Sequence, residues 1–366
     1  MWIQLAIMGL LVALFPLIMV WVSSDTNKYR KLTWVTLFIT FDLILFGAFT
    51  RLTDSGLGCP DWPGCYGQAN PFQAHADIKA AQILMPSGPV TMMKAWIEMI
   101  HRYMAMGVGV LIATMMCIAW YRWLKSKRKN IAFKPWFPTL LFVFVCVQGA
   151  FGAWTVTMKL QPIIVTIHLI LGMSLLGLLT WVAVDQTNLI SSQNVVSSRQ
   201  NSLRSATLWV TVVVALQIAL GGWVSTNYAA LACTDFPLCH GQVIPKMDFG
   251  NGFSIWRSLG KTANGDYLTF DALTAIHWVH RNFAFIVIGL VVWLGHKAIQ
   301  TENTKKIGRF ILMAIAFQFL TGISTIYFKW PLTIAVMHNG GAAILVMLLV
   351  VLNYKNHIQG VRQPQK

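Results

Sequence analysis

The sequence predicts an all-α polytopic membrane protein: two parallel-repeat four-helix transmembrane bundles plus one extra N-terminal transmembrane helix. Three observations predict it. Of 366 residues, 56% are hydrophobic and 11% charged, with a mean hydropathy of +0.60, which leaves too little polar surface to coat a soluble globule. Nine apolar runs, near residues 2–22, 33–50, 96–121, 136–157, 163–184, 206–226, 271–294, 308–328 and 332–353, are each long enough to cross a hydrocarbon core of about 30 Å. Finally, the chain repeats itself. RLTDSGLGCPDWPGCYGQ (51–68) returns as STNYAALACTDFPLCHGQ (225–242), aligning Cys59 with Cys233, Asp61 with Asp235, Pro63 with Pro237 and Cys65 with Cys239. Gln148 with Gly152 returns as Gln318 with Gly322, and Pro162 before His168 as Pro331 before His338, a spaced match that marks an internal duplication.

The first run, 2–22, has no ionisable group and no counterpart in the repeat. It lacks a basic leader and a small-residue cleavage site before Lys28, so it reads as a retained accessory span rather than a signal peptide. The second run carries Asp42, which should face the bundle, because a lone carboxyl facing lipid costs several kcal/mol. Runs two to five form one four-helix unit and runs six to nine the other. The expected organisation is therefore an accessory helix and loop (1–32), a first half (33–184), a linker (185–205), a second half (206–353) and a tail (354–366).

The net charge of +16 encodes topology. Segments around 23–32, 122–135, 185–205, 295–309 and 354–366 hold 18 of the 28 Lys and Arg, against the acids Asp25, Asp185 and Glu302. By the positive-inside rule these face the cytoplasm, placing the N-terminus and the long loops 51–95 and 227–270 outside and the C-terminus inside. Both units then run the same way, a parallel repeat about an axis normal to the membrane. Basic patches interleaved with aromatics are absent, so nucleic acid is not expected as a partner.

Five of the nine histidines, His101, His168, His277, His280 and His338, sit within a few residues of the outer end of an apolar run. His75 and His240 fall in outer loops and His296 and His357 near cytoplasmic ends, where they read as solvated. Within each unit, His101 can face His168 and His280 can face His338. Imidazoles from facing helices are the usual way a bundle holds a haem iron, and the nearby Gly107, Gly109, Gly172, Gly289 and Gly340–Gly341 make room for a porphyrin. Zinc is disfavoured, since no Cys or carboxylate converges to complete a tetrahedral site.

Glu98 lies one turn before His101, where it could relay a proton, and His277 stands in its place in the second half. Pairing of Glu98 with Arg102 at i, i+4 is the competing reading. Arg102 and Arg281 follow their histidines; they either snorkel to the interface or pair with a haem propionate. Cys59/Cys65 and Cys233/Cys239 fall in loops assigned to the oxidising side and read as two disulfides. Cys117 and Cys146 read as inert packing residues inside apolar helices.

Taken together, RLTDSGLGCPDWPGC, the EMIHR stretch, the Gln-x3-Gly helices and LACTDFPLCHGQ resemble the bacterial haem A synthase family over about residues 33–353. The resemblance implies that each half holds a haem and that a methyl group of haem O is oxidised through an alcohol to the formyl group of haem A. It implies His101 and His168 as ligands in a first, substrate half, His280 and His338 as ligands of a b-type cofactor haem in the second, and Glu98 as the acidic residue near the substrate. It further implies the haem O synthase as supplier, an electron donor of unspecified identity, surrounding membrane lipid, an option of homo-oligomerisation, and the bacterial cytoplasmic membrane as location. The residues alone leave open a quinol-linked bis-His electron-transfer cytochrome of the b type and a membrane thiol oxidoreductase using the two Cys pairs.

Overall fold

A computed structural model describes residues 1–126, 135–188 and 201–361. Eleven helices are formed by these residues: α1 (Trp2–Val22), α2 (Lys28–Leu52), α3 (His75–Leu84), α4 (Met92–Lys125), α5 (Trp136–Thr157), α6 (Pro162–Asn188), α7 (Asn201–Thr226), α8 (Phe249–Gly252), α9 (Phe270–Ile299), α10 (Glu302–Tyr327) and α11 (Leu332–Val361). No strand occurs among the described residues, and nine of these helices are long and apolar enough to cross a membrane. The chain is a polytopic all-α membrane protein. Residues 189–200 of the expected linker, 127–134 of the basic 122–135 loop and 362–366 of the tail lie outside the described residues. Two short loop helices, α3 and α8, were not anticipated; each is too short and too polar to show a spanning pattern.

Polar residues start the long helices where hydrocarbon gives way to water. The side chains of Asn27, Thr91 and Thr269 accept the backbone N–H of Arg30, Lys94 and Ala272 at 3.0, 3.2 and 3.3 Å, satisfying donors that a first turn otherwise leaves orphaned. Within the spans, Thr33, Thr36 and Thr40 return their hydroxyl protons to the carbonyl four residues back, so their buried polar atoms are satisfied inside the helix itself.

The chain divides into two compact units, Met1–Leu160 with Ser174–Ser191, and Gln161–Met173 with Ser192–Lys366. In the first unit α4 packs against α1, α2 and α5. The accessory helix α1 buries Leu5, Gly9, Ala13, Pro16 and Val20, one stripe at helical spacing. Glycines bring it close to α4: a Cβ on Gly9 would lie 2.9 Å from Met106 Cβ, and one on Gly107 would lie 2.7 Å from Val12, the small-residue contact by which helices associate in lipid. At its start, Trp2 meets Trp62 of the Cys59–Cys65 loop edge to face, with centroids 6.5 Å apart.

In the second unit α7, α9, α10 and α11 pack in a closed ring, α7 on α9, α9 on α10, α10 on α11 and α11 on α7. Its dense apolar core, including Val214, Val287, Val291, Leu294, Ile311, Ile315, Leu345 and Leu349, lies toward the end of the bundle remote from the 227–270 loop. Gly308 lets α10 cross α9 there, since a Cβ on it would lie 2.8 Å from the Gly295 carbonyl oxygen. Cys117 and Cys146 are corrections to the sequence reading: both are free and exposed, on helix faces turned outward rather than packed inside.

Candidate functional site

Both disulfides form, Cys59–Cys65 and Cys233–Cys239, and the two loops share one local design. Asp61 accepts the amides of Tyr66 and Gly67 at 2.6 and 2.7 Å, and Asp235 those of His240 and Gly241, both at 2.8 Å. Paired backbone bonds then close a tight turn between Cys65 and Gln68, and between Cys239 and Gln242. Both central residues of each turn have positive φ, 51° and 70° at Tyr66 and Gly67, 54° and 70° at His240 and Gly241, which explains why glycine recurs at the second position. Hydrogen bonding, led by the Gly241 amide, holds the Asp235 carboxyl below its ordinary pKa.

Each loop is fastened to the helix that carries a candidate ligand. In the first unit Glu98, 4% exposed, accepts the Cys59 N–H at 2.8 Å through Oε2 and pairs with Arg102 at 2.5 Å through Oε1. Arg102 also donates to the carbonyls of Asp61, Pro63 and Gly64. Both of its terminal nitrogens are thereby committed. In the second unit the same cysteine amide, Cys233 N–H, is accepted at 3.1 Å by His277 Nδ1, and Arg281 donates to the carbonyls of Pro237 and Leu238 at 3.3 and 3.1 Å. Glu98 and His277 are thus equivalent in contact as well as in sequence position. Arg281 differs from Arg102 in keeping one terminal nitrogen, Nη1, buried without a hydrogen-bond partner.

Below these anchors lie the histidines. His280 and His338, on α9 and α11 of the second unit, are close enough to interact electrostatically. Each ring rests against a glycine: a Cβ on Gly221 of α7 would lie 3.0 Å from His280 Cε1, and one on Gly322 of α10 would lie 3.3 Å from His338 Cε1. Thr321 anchors the His338 ring. Its hydroxyl lies 2.9 Å from the Phe317 carbonyl, 3.2 Å from the Gln318 carbonyl and 2.9 Å from His338 Nδ1. When the hydroxyl proton goes to a carbonyl of its own helix, Nδ1 carries the ring proton and Nε2 keeps a lone pair for a metal. The amide of Gln217 lies 3.1 Å from His280 Nδ1 and donates to the His280 carbonyl at 3.1 Å, while its own oxygen is buried without a partner. The amide of Gln318 donates to the His338 carbonyl at 2.9 Å.

A haem fits these residues. The two histidines come from α9 and α11 of one unit, close enough to interact, Gly289 of α9 has nothing within 4 Å of where a Cβ would be, and the buried, unpartnered Arg281 Nη1 suits a propionate. In the first unit His101 packs its ring near parallel to Phe46, at 6.5 Å and 13°, and a Cβ on Gly47 would lie 3.0 Å from His101 Nε2. Gly149 of α5 faces open space. His168 lies on the opening part of α6, within residues grouped with the second unit. Asp42 is half-buried on α2. His240 is tied down rather than simply solvated, bonded to the Ala232 carbonyl at 2.7 Å and stacked on Phe270.

Sequence reasoning assigned no role to His277, Gln217 or Thr321. Gln217 was findable, because Gln217 and Gly221 repeat the Gln-x3-Gly spacing seen at 148/152 and 318/322.

The chain is similar to known proteins over most of its length. A family profile described as cytochrome oxidase assembly protein, COX15-CtaA, matches residues 30–350. A heme A synthase of Shewanella oneidensis is 41% identical over 330 residues, covering 88% of this chain and 96% of its own. Heme A synthases of Novosphingobium aromaticivorans and Caulobacter vibrioides are each 26% identical, over 369 and 347 residues, covering 93% and 89% of this chain and 97% and 94% of their own.

Proposed function

Because the chain belongs to the COX15-CtaA family of cytochrome oxidase assembly proteins, we propose that it is a haem A synthase, oxidising a methyl group of haem O through an alcohol to the formyl group of haem A. The observation that carries this reading is the pair His280 and His338, seated on glycines with Nδ1 of each engaged inside the protein. A b-type haem held there would supply electron transfer, chemistry that side chains cannot perform. His280 and His338 would hold it through their ring nitrogens, and Arg281 would pair with one of its carboxylates. His101 and His168 would ligate the substrate haem.

Around that substrate the chain's own work is positional. Gly47 admits the His101 ring against α2, and Glu98 would accept a proton released as the methyl carbon is oxidised. A second reading of Glu98 has a specific observation behind it: both carboxylate oxygens are already bonded, one to Cys59 N–H and one to Arg102, so the residue also serves as the clamp that sets the height of His101. Haem O would come from the membrane enzyme that makes it, and the electron donor is a separate partner. Orientation follows the charge count, with both disulfide loops on the outer side of a bacterial cytoplasmic membrane.

The test is haem extraction and spectroscopy of the purified protein. Wild type should carry a low-spin b-type haem, and His280→Ala and His338→Ala should each lose it, because one axial nitrogen leaves the other face of the iron unligated. Membranes lacking the protein should accumulate haem O. A normal low-spin spectrum in both variants would overturn the ligand assignment; unchanged haem content in the deletion would favour an electron-transfer cytochrome, and failed disulfide formation a thiol oxidoreductase.

A further inference from the structure

Arg257, in the 227–270 loop of the second unit, is 3% exposed and has no acidic partner among the described residues. Its guanidinium lies over the Trp223 ring at 5.6 Å, donates to Asn227 Oδ1 at 2.5 Å and to the Lys261 carbonyl at 3.1 Å, and leaves Nε buried without a partner. Burial lowers its pKa, the direction expected of a cation whose charge nothing nearby offsets. It lines a cavity of about 240 Å³ with Gln161, Ser258, Lys261 and Thr262. Thr262, 8% exposed, also has its hydroxyl oxygen buried and unpartnered.

Every polar side chain lining this cavity can donate a hydrogen bond, and no acid lines it. A buried cation without a counter-charge is costly, so the complement is an anionic group with several acceptor lone pairs. Its place in the chain narrows the choice. Gln161 immediately precedes α6, and His168 follows two turns later, at a rise of about 10 Å, a span comparable with the reach of a propionate arm from the centre of a porphyrin. Arg102, the cation that follows the other proposed substrate ligand, is occupied by Glu98 and three loop carbonyls.

We propose that this cavity receives a propionate carboxylate of the tetrapyrrole substrate, with Lys261 and Arg257 offsetting its charge and Thr262 and Ser258 donating to its oxygens. The inference rests on the reading of His168 as a substrate ligand. Substrate is thereby gripped at two levels, iron below and carboxylate above, which fixes the rotation of the macrocycle about the iron and hence which methyl group is presented for oxidation.

The test compares haem B with its dimethyl ester, titrated into the full-length protein loaded with its resident haem. Wild type should bind the acid about tenfold more tightly than the ester, about 1.4 kcal/mol. Lys261→Gln and Thr262→Val should bring the two within about threefold while leaving ester affinity unchanged. Lys261 suits the test because its ammonium touches only the exposed Tyr267 ring among the contacts described, whereas replacing Arg257 would release both Asn227 and Trp223. A tenfold preference that survives both substitutions would overturn the proposal, as would loss of copurifying anionic phospholipid from the variants with haem preference intact, which would make the cavity a headgroup site. Haem uptake unchanged in His168→Ala would instead remove the ligand reading, whatever the cavity variants show.

Discussion

Thr321 has a single proton to give, and two carbonyls of its own helix, those of Phe317 and Gln318, lie within reach of it. Thr321→Val keeps the shape but removes the acceptor for His338 Nδ1–H, and loss of such an outer partner typically lowers metal affinity about 10- to 100-fold; haem transfer to apomyoglobin should accelerate in that range while the helix content stays unchanged. Gln217 invites a related measurement. If its amide turns to place its unpartnered oxygen against His280 Nδ1–H when the ring nitrogen opposite is ligated, Gln217→Leu should broaden the low-spin signal in electron paramagnetic resonance, and Gln217→Glu, which retains the acceptor, should preserve it. Asp235 gives a pH prediction. Its folded pKa is depressed, so its contribution is complete above the unfolded value of about 3.9 and disappears only as pH falls through the lower folded value. Hydrogen exchange at the His240 and Gly241 amides should be level from pH 7 to 5, once corrected for intrinsic rates, and should rise only below about 4. Gln217 was marked by its repeated spacing, but the roles of Thr321 and Asp235 could not be read from sequence, since a threonine three residues past a glutamine announces no tautomer. The histidines proposed as ligands stood out in the sequence, because ionisable groups are rare in hydrocarbon and these recurred near the outer ends of matched runs.

At the scale of elements, the nine spans were legible, with ends shifted by up to eight residues: continuous apolar runs of about 20 residues have one stable form in lipid, where the backbone must satisfy itself. The loops were legible only in part. Cysteine spacing foretold the disulfides, but the fastening of each loop to α4 or α9 depends on side chains some 40 positions away, Glu98 for Cys59 and His277 for Cys233. Removing them should differ in consequence. Glu98→Ala leaves buried Arg102 without its counter-charge and should cost about 3 kcal/mol or more. His277→Ala removes one neutral acceptor and should cost about 1 to 2 kcal/mol. Thermal unfolding in detergent distinguishes the two, and equal losses would contradict the ion-pair argument. Gly107→Leu should detach α1 from α4, visible as faster cross-linking or proteolysis of the first helix, because Val12 occupies the space a side chain would need.

For the whole molecule, a reporter fused after Lys366 should be cytoplasmic and one before Met1 external; the reverse pattern would invert every loop assignment. The division of α6 between the two units, at residues 173 and 174, could not be foreseen, because its apolar run is unbroken and a sequence window carries no record of which neighbours each turn meets. Duplication has one electrical consequence. An acceptor nitrogen cannot be protonated, so His277, in taking the Cys233 N–H, is a neutral imidazole, and Arg281 beside it has no ion-pair partner at that position and interacts instead with Asp235 of the loop; in the first unit Glu98 pairs directly with Arg102. Two loop anchors of similar outline therefore differ by one negative charge at the position one turn before the proposed ligand, and a haem held as proposed in the second would sit in the more positive field. Such a field favours the ferrous over the ferric state, so Arg281→Gln should lower the midpoint potential of that haem while Arg102→Gln leaves it in place. One substitution, carboxylate for imidazole beneath a disulfide, thus sets the electrical character of each anchor.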